Sequence, residues 1–202
     1  MKRYFKLFLI LLTSIFIICG CENIEKESEK IKNDQYLSGK HYVVIDVKDY
    51  GTISLELDAD TAPITVTNFI NLVNDKFYDG LTFHRIIKDF MIQGGDPNHN
   101  GTGGSKVTIK GEFENNGVKN KISHKRGVIS MARAQGYDTA SSQFFIVHED
   151  SLHLDGDYAA FGHVTEGMEV VDKIVENATP IDQNGTIEYE KQPVINSIKV
   201  VD

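Results

Sequence analysis

Apolar and polar residues alternate along positions 41–47 and again along 52–57, with D-Y-G between the two runs. Such alternation turns one side of each run to a core and the other to water, so the pair predicts a half-buried antiparallel hairpin. Short runs at 81–87, 91–93, 127–132, 143–147, 160–164 and 194–201 are rich in Val, Ile, Leu and Phe, with Gly, Asn and Asp between them. They predict six more strands, the last lying beside the first. Two stretches carry the helical period instead. Val66, Phe69, Ile70 and Val73 recur on one face behind Pro63, with Thr61 placed to cap the helix, and Met168, Val171, Ile174 and Val175 do the same after Gly167. The expected fold is therefore mainly β: a closed antiparallel eight-stranded β-barrel capped by two α-helices, one at each mouth. An interior filled by aliphatic and aromatic side chains has no room for a ligand, so function is expected on the outer wall.

The N-terminus departs from this pattern. Residues 7–18 are an apolar stretch behind Lys2, Arg3 and Lys6, too short for a bilayer span, and read as an export signal. The signal ends in Ile18-Cys19-Gly20-Cys21, which resembles a bacterial lipobox with small Gly20 before the acylated cysteine. The expected organisation is a signal peptide over 1–20, lipidated Cys21 with a polar tether to 38, and the folded domain over 39–202. The tether, rich in Glu, Lys, Asn and Ser, has too few apolar side chains to offset its ordering entropy. Cleavage before Cys21 removes Cys19, so the mature chain forms no internal disulfide, and it is expected on the extracytoplasmic side of the cell membrane, held by lipid.

Charge narrows the partners. The 202 residues carry a net charge of −8, and loss of the signal moves this to about −11. Such a surface disfavours nucleic acid and leaves acyl chains, not a basic patch, as the membrane tie. Several chemistries are also disfavoured. The chain has no H-E-x-x-H or C-x-x-C spacing for a metal, and Ser105-Lys106 inverts the order a phosphate loop needs. No G-x-S-x-G elbow surrounds Ser141 or Ser142, and neither cofactor nor metal is expected.

Residues 83–96 read F-H-R-I-I-K-D-F-M-I-Q-G-G-D, placing an arginine, a glutamine and a Gly-Gly pair where a plain core strand would not supply them. This stretch resembles the signature of the cyclophilins, the β-barrel peptidyl-prolyl cis-trans isomerases. N-G-T-G-G at 100–104, M-A-R-A at 131–134, S-Q-F-F-I at 142–146 and L-D-G-D-Y-A-A-F-G at 154–162 follow in that family's order. The resemblance implies that Arg85, Phe90, Gln93 and Phe145 are catalytic. It places Met91, Gly101, Ala132, Arg133, Ala134, Gln143, His153, Leu154 and Tyr158 along the substrate. Three positions depart from the animal-type pattern: Arg133 stands for Asn, His153 for the frequent Trp and Tyr158 for the frequent His. The His153 exchange implies weak cyclosporin binding. His84, beside Arg85 in a strand, is expected to face the other way as a satisfied structural histidine.

The reaction explains these residue types. Rotation about an X-Pro bond must break amide resonance, a barrier of about 18 to 20 kcal/mol, and exchange unaided takes tens to hundreds of seconds. In the twisted form the prolyl nitrogen regains its lone pair while the amide's charge separation fades. A fixed donor aimed at that nitrogen and an apolar wall around the ring therefore favour the transition state over the planar states. A guanidinium suits the first task, because it stays charged and donates without surrendering a proton. The expected function is acceleration of X-Pro rotation during the folding of exported, proline-containing polypeptides. A peptide-binding chaperone module on the same fold is the alternative, and intact Arg85, Gln93 and Phe145 favour the enzyme. A sugar-binding barrel would want aromatic platforms, and the chain has no Trp.

Overall fold

The alternation along the first two runs does form a hairpin. In the computed structural model, which describes residues 36–201, β1 (Lys40–Val47) pairs antiparallel with β2 (Gly51–Asp58), from Lys40 opposite Asp58 to Val47 opposite Gly51. Val43, Ile45, Val47, Ile53, Leu55 and Leu57 are buried, as the period requires. The signal peptide, Cys21 and most of the tether lie outside the described residues.

Six strands complete the sheet: β3 (Phe83–Ile87), β4 (Met91–Gly94), β5 (Val128–Met131), β6 (Phe144–Val147), β7 (Ala160–Glu166) and β8 (Ile195–Val200). Their order is β3-β4-β6-β5-β7-β2-β1-β8, and every adjacent pair is antiparallel. The last strand lies beside the first, as expected. Full closure is not reached, and the sheet is a curled half-barrel. Its end strands β3 and β8 form no ladder with each other and are joined only at their starts, where Thr82 bridges Val194, Phe83 N–H donates to the Pro193 carbonyl at 3.0 Å and Ile195 N–H to the Leu81 carbonyl at 2.8 Å. The reason lies on the free edge of β3. There the loop around Gly185 takes the partner's place: Arg85 bridges Thr186, Ile86 N–H donates to the Gly185 carbonyl at 2.8 Å, and Ile187 N–H donates to the His84 carbonyl at 3.0 Å. A loop protects this edge where a closed barrel would use a strand.

Two helices lay their apolar faces on the same core. α1 (Pro63–Asn74) buries Val66, Phe69, Ile70 and Val73, and α2 (Met168–Asn177) buries Val170, Val171, Ile174 and Val175. Aromatic rings fill the centre: Phe69 lies 5.1 Å from Tyr78, 5.5 Å from Phe144 and 5.3 Å from Phe161. The expected cap on α1 is corrected. Thr61 Oγ1 donates to Asp58, the N-cap position is Ala62, and no cap side chain bonds the helix start. Buried Glu112 accepts from Ile64 N–H at 3.0 Å, Thr65 N–H at 2.8 Å and Thr65 Oγ1 at 2.7 Å. It satisfies the orphan donors of the first turn from 47 residues away.

Candidate active site

The period-two pleat makes one short segment serve two purposes. Phe144 and Ile146 of β6 point into the main core, while Phe145 and Val147 belong to a second apolar cluster on the outer wall, with Met91 and Leu154. Register then sets a row across four strands. Arg85 pairs with Gln93, Gln93 with Phe145, and Phe145 with Ser130. A bulge at His84 tunes the row. Phe83 and Ile86 both enter the core although they are three apart, which an unbroken strand forbids, and the extra residue leaves Arg85 on the outer face beside Gln93.

Arg85 is held on three sides. Nε donates to the Asn184 carbonyl at 2.7 Å, Nη1 to Gln93 Oε1 at 3.1 Å, and Nη1 lies 3.7 Å from Met91 Sδ, with the guanidinium 5.9 Å from the Phe90 ring centre. Burial lowers its basicity, partly offset by Tyr158 and Asp182, and it stays charged. The hydrogen bonds continue outward. Gln93 Nε2 donates to Gln143 Oε1 at 2.8 Å, and Gln143 Nε2 donates to the carbonyls of Gly101 at 3.1 Å and Gly103 at 2.7 Å. That loop passes close to Asp96, where a Cβ on Gly103 would stand 2.2 Å from Oδ1. The Gly-Gly pair has a similar reason: Gly95 has φ of +82°, and a Cβ there would lie 2.6 Å from the Ser142 carbonyl.

A cavity of about 160 Å³ opens at Arg85, walled by Phe90, Met91, Phe145, Leu154 and Tyr158, with Gln93, Ala132 and Arg133 along it. A second of about 350 Å³ adjoins it through Gln93, Ala132 and Arg133, and is lined by Gly101, Ala134, Thr139 and Gln143. The structure thus brings together twelve of the thirteen groove positions named from sequence in one pair of cavities. The thirteenth, His153, stands exposed at the rim, its ring 5.7 Å from that of Phe90.

Four features were not foreseen. The Asn184 carbonyl that orients Arg85 is backbone; the N-G pair at 184–185 signals a turn but not its partner. Behind Phe145, Ser130 Oγ lies 3.0 Å from His124 Nε2, and His124 Nδ1 lies 2.8 Å from Asp155 Oδ1. Burial keeps His124 neutral against the pull of Asp155, so Nδ1–H donates to the carboxylate and Ser130 donates to Nε2. This resembles a hydrolase triad in connectivity only, since Ser130 is wholly buried and reaches no substrate. It braces the pocket floor: the His124 ring stacks on Phe145 at 6.0 Å and 17°. Arg133 is caged by three rings. His84 is buried, as expected of a residue facing away from the groove, but it is not satisfied: neither ring nitrogen has a hydrogen-bond partner among the described residues, and burial lowers its basicity.

A curled antiparallel sheet whose outer wall carries a fixed guanidinium above an apolar, proline-sized pocket defines a class of peptide-groove enzyme that needs no nucleophile. Residues 42–200 match the family described as cyclophilin type peptidyl-prolyl cis-trans isomerase/CLD, and the chain belongs to it. It is a peptidyl-prolyl cis-trans isomerase. Peptidyl-prolyl cis-trans isomerase B of Bacillus subtilis is 51% identical over 123 residues, covering 61% of this chain and 82% of that protein. A Helicobacter pylori peptidyl-prolyl cis-trans isomerase is 50% identical over 126 residues, covering 61% and 74%. Among solved structures, a Cryptosporidium parvum cyclophilin type isomerase, crystallised in the presence of the dipeptide Ala-Pro, superposes with a TM-score of 0.70. It is 30% identical, covering 80% of this chain and 99% of that one.

Proposed function

We propose that this isomerase acts at the outer-wall groove on X-Pro bonds of newly exported or cell-surface chains, from a lipid anchor on Cys21 at the extracytoplasmic face of the cell membrane. The observation that carries the site is Arg85 held by Asn184 and Gln93 at the mouth of the apolar cavity. The prolyl ring enters among Phe90, Met91, Phe145 and Leu154, which exclude water and offer no competing polar group. Arg85 donates to the prolyl nitrogen as it pyramidalises, and Gln93 and Gln143 hold the substrate backbone. The segment 132–134 pairs with the residues before proline, and Ala132 and Ala134 let the two backbones approach. Rising from about 10⁻² s⁻¹ to about 10³ s⁻¹ requires roughly 7 kcal/mol, within reach of a fixed donor, a preformed pocket and desolvation together. The test is NMR exchange on a short Ala-Pro peptide with the full chain in detergent; binding without faster exchange would favour the chaperone module.

The Cryptosporidium isomerase, crystallised with Ala-Pro present, supports proline-containing peptides as the partner here. The anchor rests on the Ile18-Cys19-Gly20-Cys21 pattern. Cys21→Ala is expected to abolish acylation, so that labelled palmitate no longer enters the protein and the precursor persists on a gel. Labelling that survives in Cys21→Ala and disappears in Cys19→Ala would move the anchor to Cys19.

Cyclosporin is expected to bind weakly. His153 offers less apolar area than an indole and is better hydrated. His153→Trp, at an exposed rim position, is expected to tighten inhibition about ten-fold, from apolar contact near 25 cal/mol per Å² and one added donor. An inhibition titration on both proteins decides: equal constants would place the 152–154 turn off the inhibitor's path.

A further inference from the structure

Arg133 stands where the two cavities meet and lines both. Its guanidinium lies 4.8 Å from the Tyr158 ring centre, 5.2 Å from Phe113 and 5.3 Å from Tyr137. Nε donates to the Asp157 carbonyl at 2.9 Å, and Nη1 donates to the carbonyls of Ala134 at 3.0 Å and Gln135 at 3.2 Å. These contacts fix the side chain without neutralising it. Among the described residues no carboxylate forms an ion pair with Arg133, although the protein carries an excess of acidic groups. The acids of the adjoining loops are engaged elsewhere. Asp157 accepts from Asn115 at 2.8 Å, and Asp138 from Gly111 N–H at 3.0 Å and Asn116 at 2.7 Å. Nη2 makes no hydrogen bond to any described residue. Arg85, at the far side of the proline cavity, also forms no ion pair among them, although Asp182 acts on it from a distance, so two guanidinium groups outside any ion pair flank the groove of an acidic protein.

From this placement we infer that Arg133 selects substrates with a carboxylate side chain one or two residues before proline. The inference deepens the proposed function and rests on its chain direction past residues 132–134. An extended peptide advances about 3.3 Å per residue, so with proline in the small cavity the two preceding side chains pass Arg133 and the mouth of the larger one. Three rings surround the cation and Nε and Nη1 are engaged, which leaves Nη2 to meet a carboxylate; a lysine there on the substrate is repelled.

The test is kcat/KM by NMR exchange, which needs no coupling protease, on capped Ala-Ala-Pro-Phe, Ala-Glu-Pro-Phe, Glu-Ala-Pro-Phe and the two lysine counterparts, with the full chain in neutral detergent. At low salt the better glutamate peptide is expected to exceed its lysine counterpart about five- to ten-fold, and the ratio to fall toward one at 0.5 M salt. Arg133→Gln should bring the ratio to about one whatever its absolute rate, and Arg133→Lys should keep most of it. Should Arg133→Gln fail to fold by circular dichroism, Arg133→Met keeps a stem among the rings and carries the same comparison. Equal wild-type rates for glutamate and lysine peptides, or a preference surviving loss of the charge, overturns the inference alone. Failure on every peptide, Ala-Ala-Pro-Phe included, overturns the proposed function instead.

Discussion

Arg85→Ala is expected to lower kcat on a short X-Pro peptide by about ten- to a hundred-fold, or about 1.4 to 2.7 kcal/mol of transition-state stabilisation. Ground-state binding should change less, because the apolar walls of Phe90, Met91 and Phe145 remain and the prolyl nitrogen becomes an acceptor only as the bond twists. Loss of the Asn184 and Gln93 contacts costs about 1 kcal/mol of stability at a half-exposed site, so thermal unfolding should shift by only a few degrees. Lysine is a poor substitute, since a point charge on a flexible stem cannot hold Asn184 and Gln93 while aiming a third donor into the cavity. Exchange rates with unfolding curves on the three proteins decide the matter: unchanged kcat in Arg85→Ala would remove the guanidinium from the reaction and favour the chaperone module.

Glu112→Ala is expected to be strongly destabilising although it lies away from the groove. It strands the amides of Ile64 and Thr65 and the Thr65 hydroxyl at the buried start of α1. Offset by release of a buried charge, the cost is about 3 kcal/mol near neutral pH, or about 6 to 12 °C in Tm. The pH dependence carries a sign. Burial raises the Glu112 carboxyl above its ordinary 4.5, against the opposing hydrogen bonds from Thr65 and Ile64. The folded state therefore binds this proton more tightly than the unfolded one. The group's stabilisation is greatest below about 4.5 and declines as pH rises through its elevated value. The Tm gap between wild type and Glu112→Ala should narrow as pH rises across that window and then level off. A gap under about 1 kcal/mol would mean that other groups take over the cap, and one that widens with pH would mean that the hydrogen bonds to Glu112 outweigh its burial.

Strands and helices were legible because burial in this fold follows period: Val43, Ile45 and Val47 on one strand, or Phe69, Ile70 and Val73 on one helix, report their faces directly. The paired phenylalanines at 144–145 gave both the core and the pocket. What escaped was action at long range. Thr61 is a sound local cap, and it lost to Glu112 because Asp58 claimed its hydroxyl first. Closure of the barrel failed where residues 184–187 occupied the edge of β3, a choice that depends on loop path and not on composition. The rings around Arg133 come from three separate segments, at 113, 137 and 158, so no spacing announces them. The bulge at His84 was hidden for a related reason: Phe83 and Ile86 look like opposite faces until a residue is taken out of register.

The contact between Arg85 and Asn184 spans 99 residues, and β8, which pairs with β1, begins only at Ile195. In a chain made from its N-terminus, the signature stretch around Arg85 therefore emerges long before the acceptor that orients its guanidinium. A fragment ending between Tyr158 and Asn184 carries every residue of the groove yet lacks both that acceptor and β8. A polypeptide interrupted or clipped there has the groove's side chains without the contact that holds Arg85, so the residues of the site are present before the geometry that arranges them.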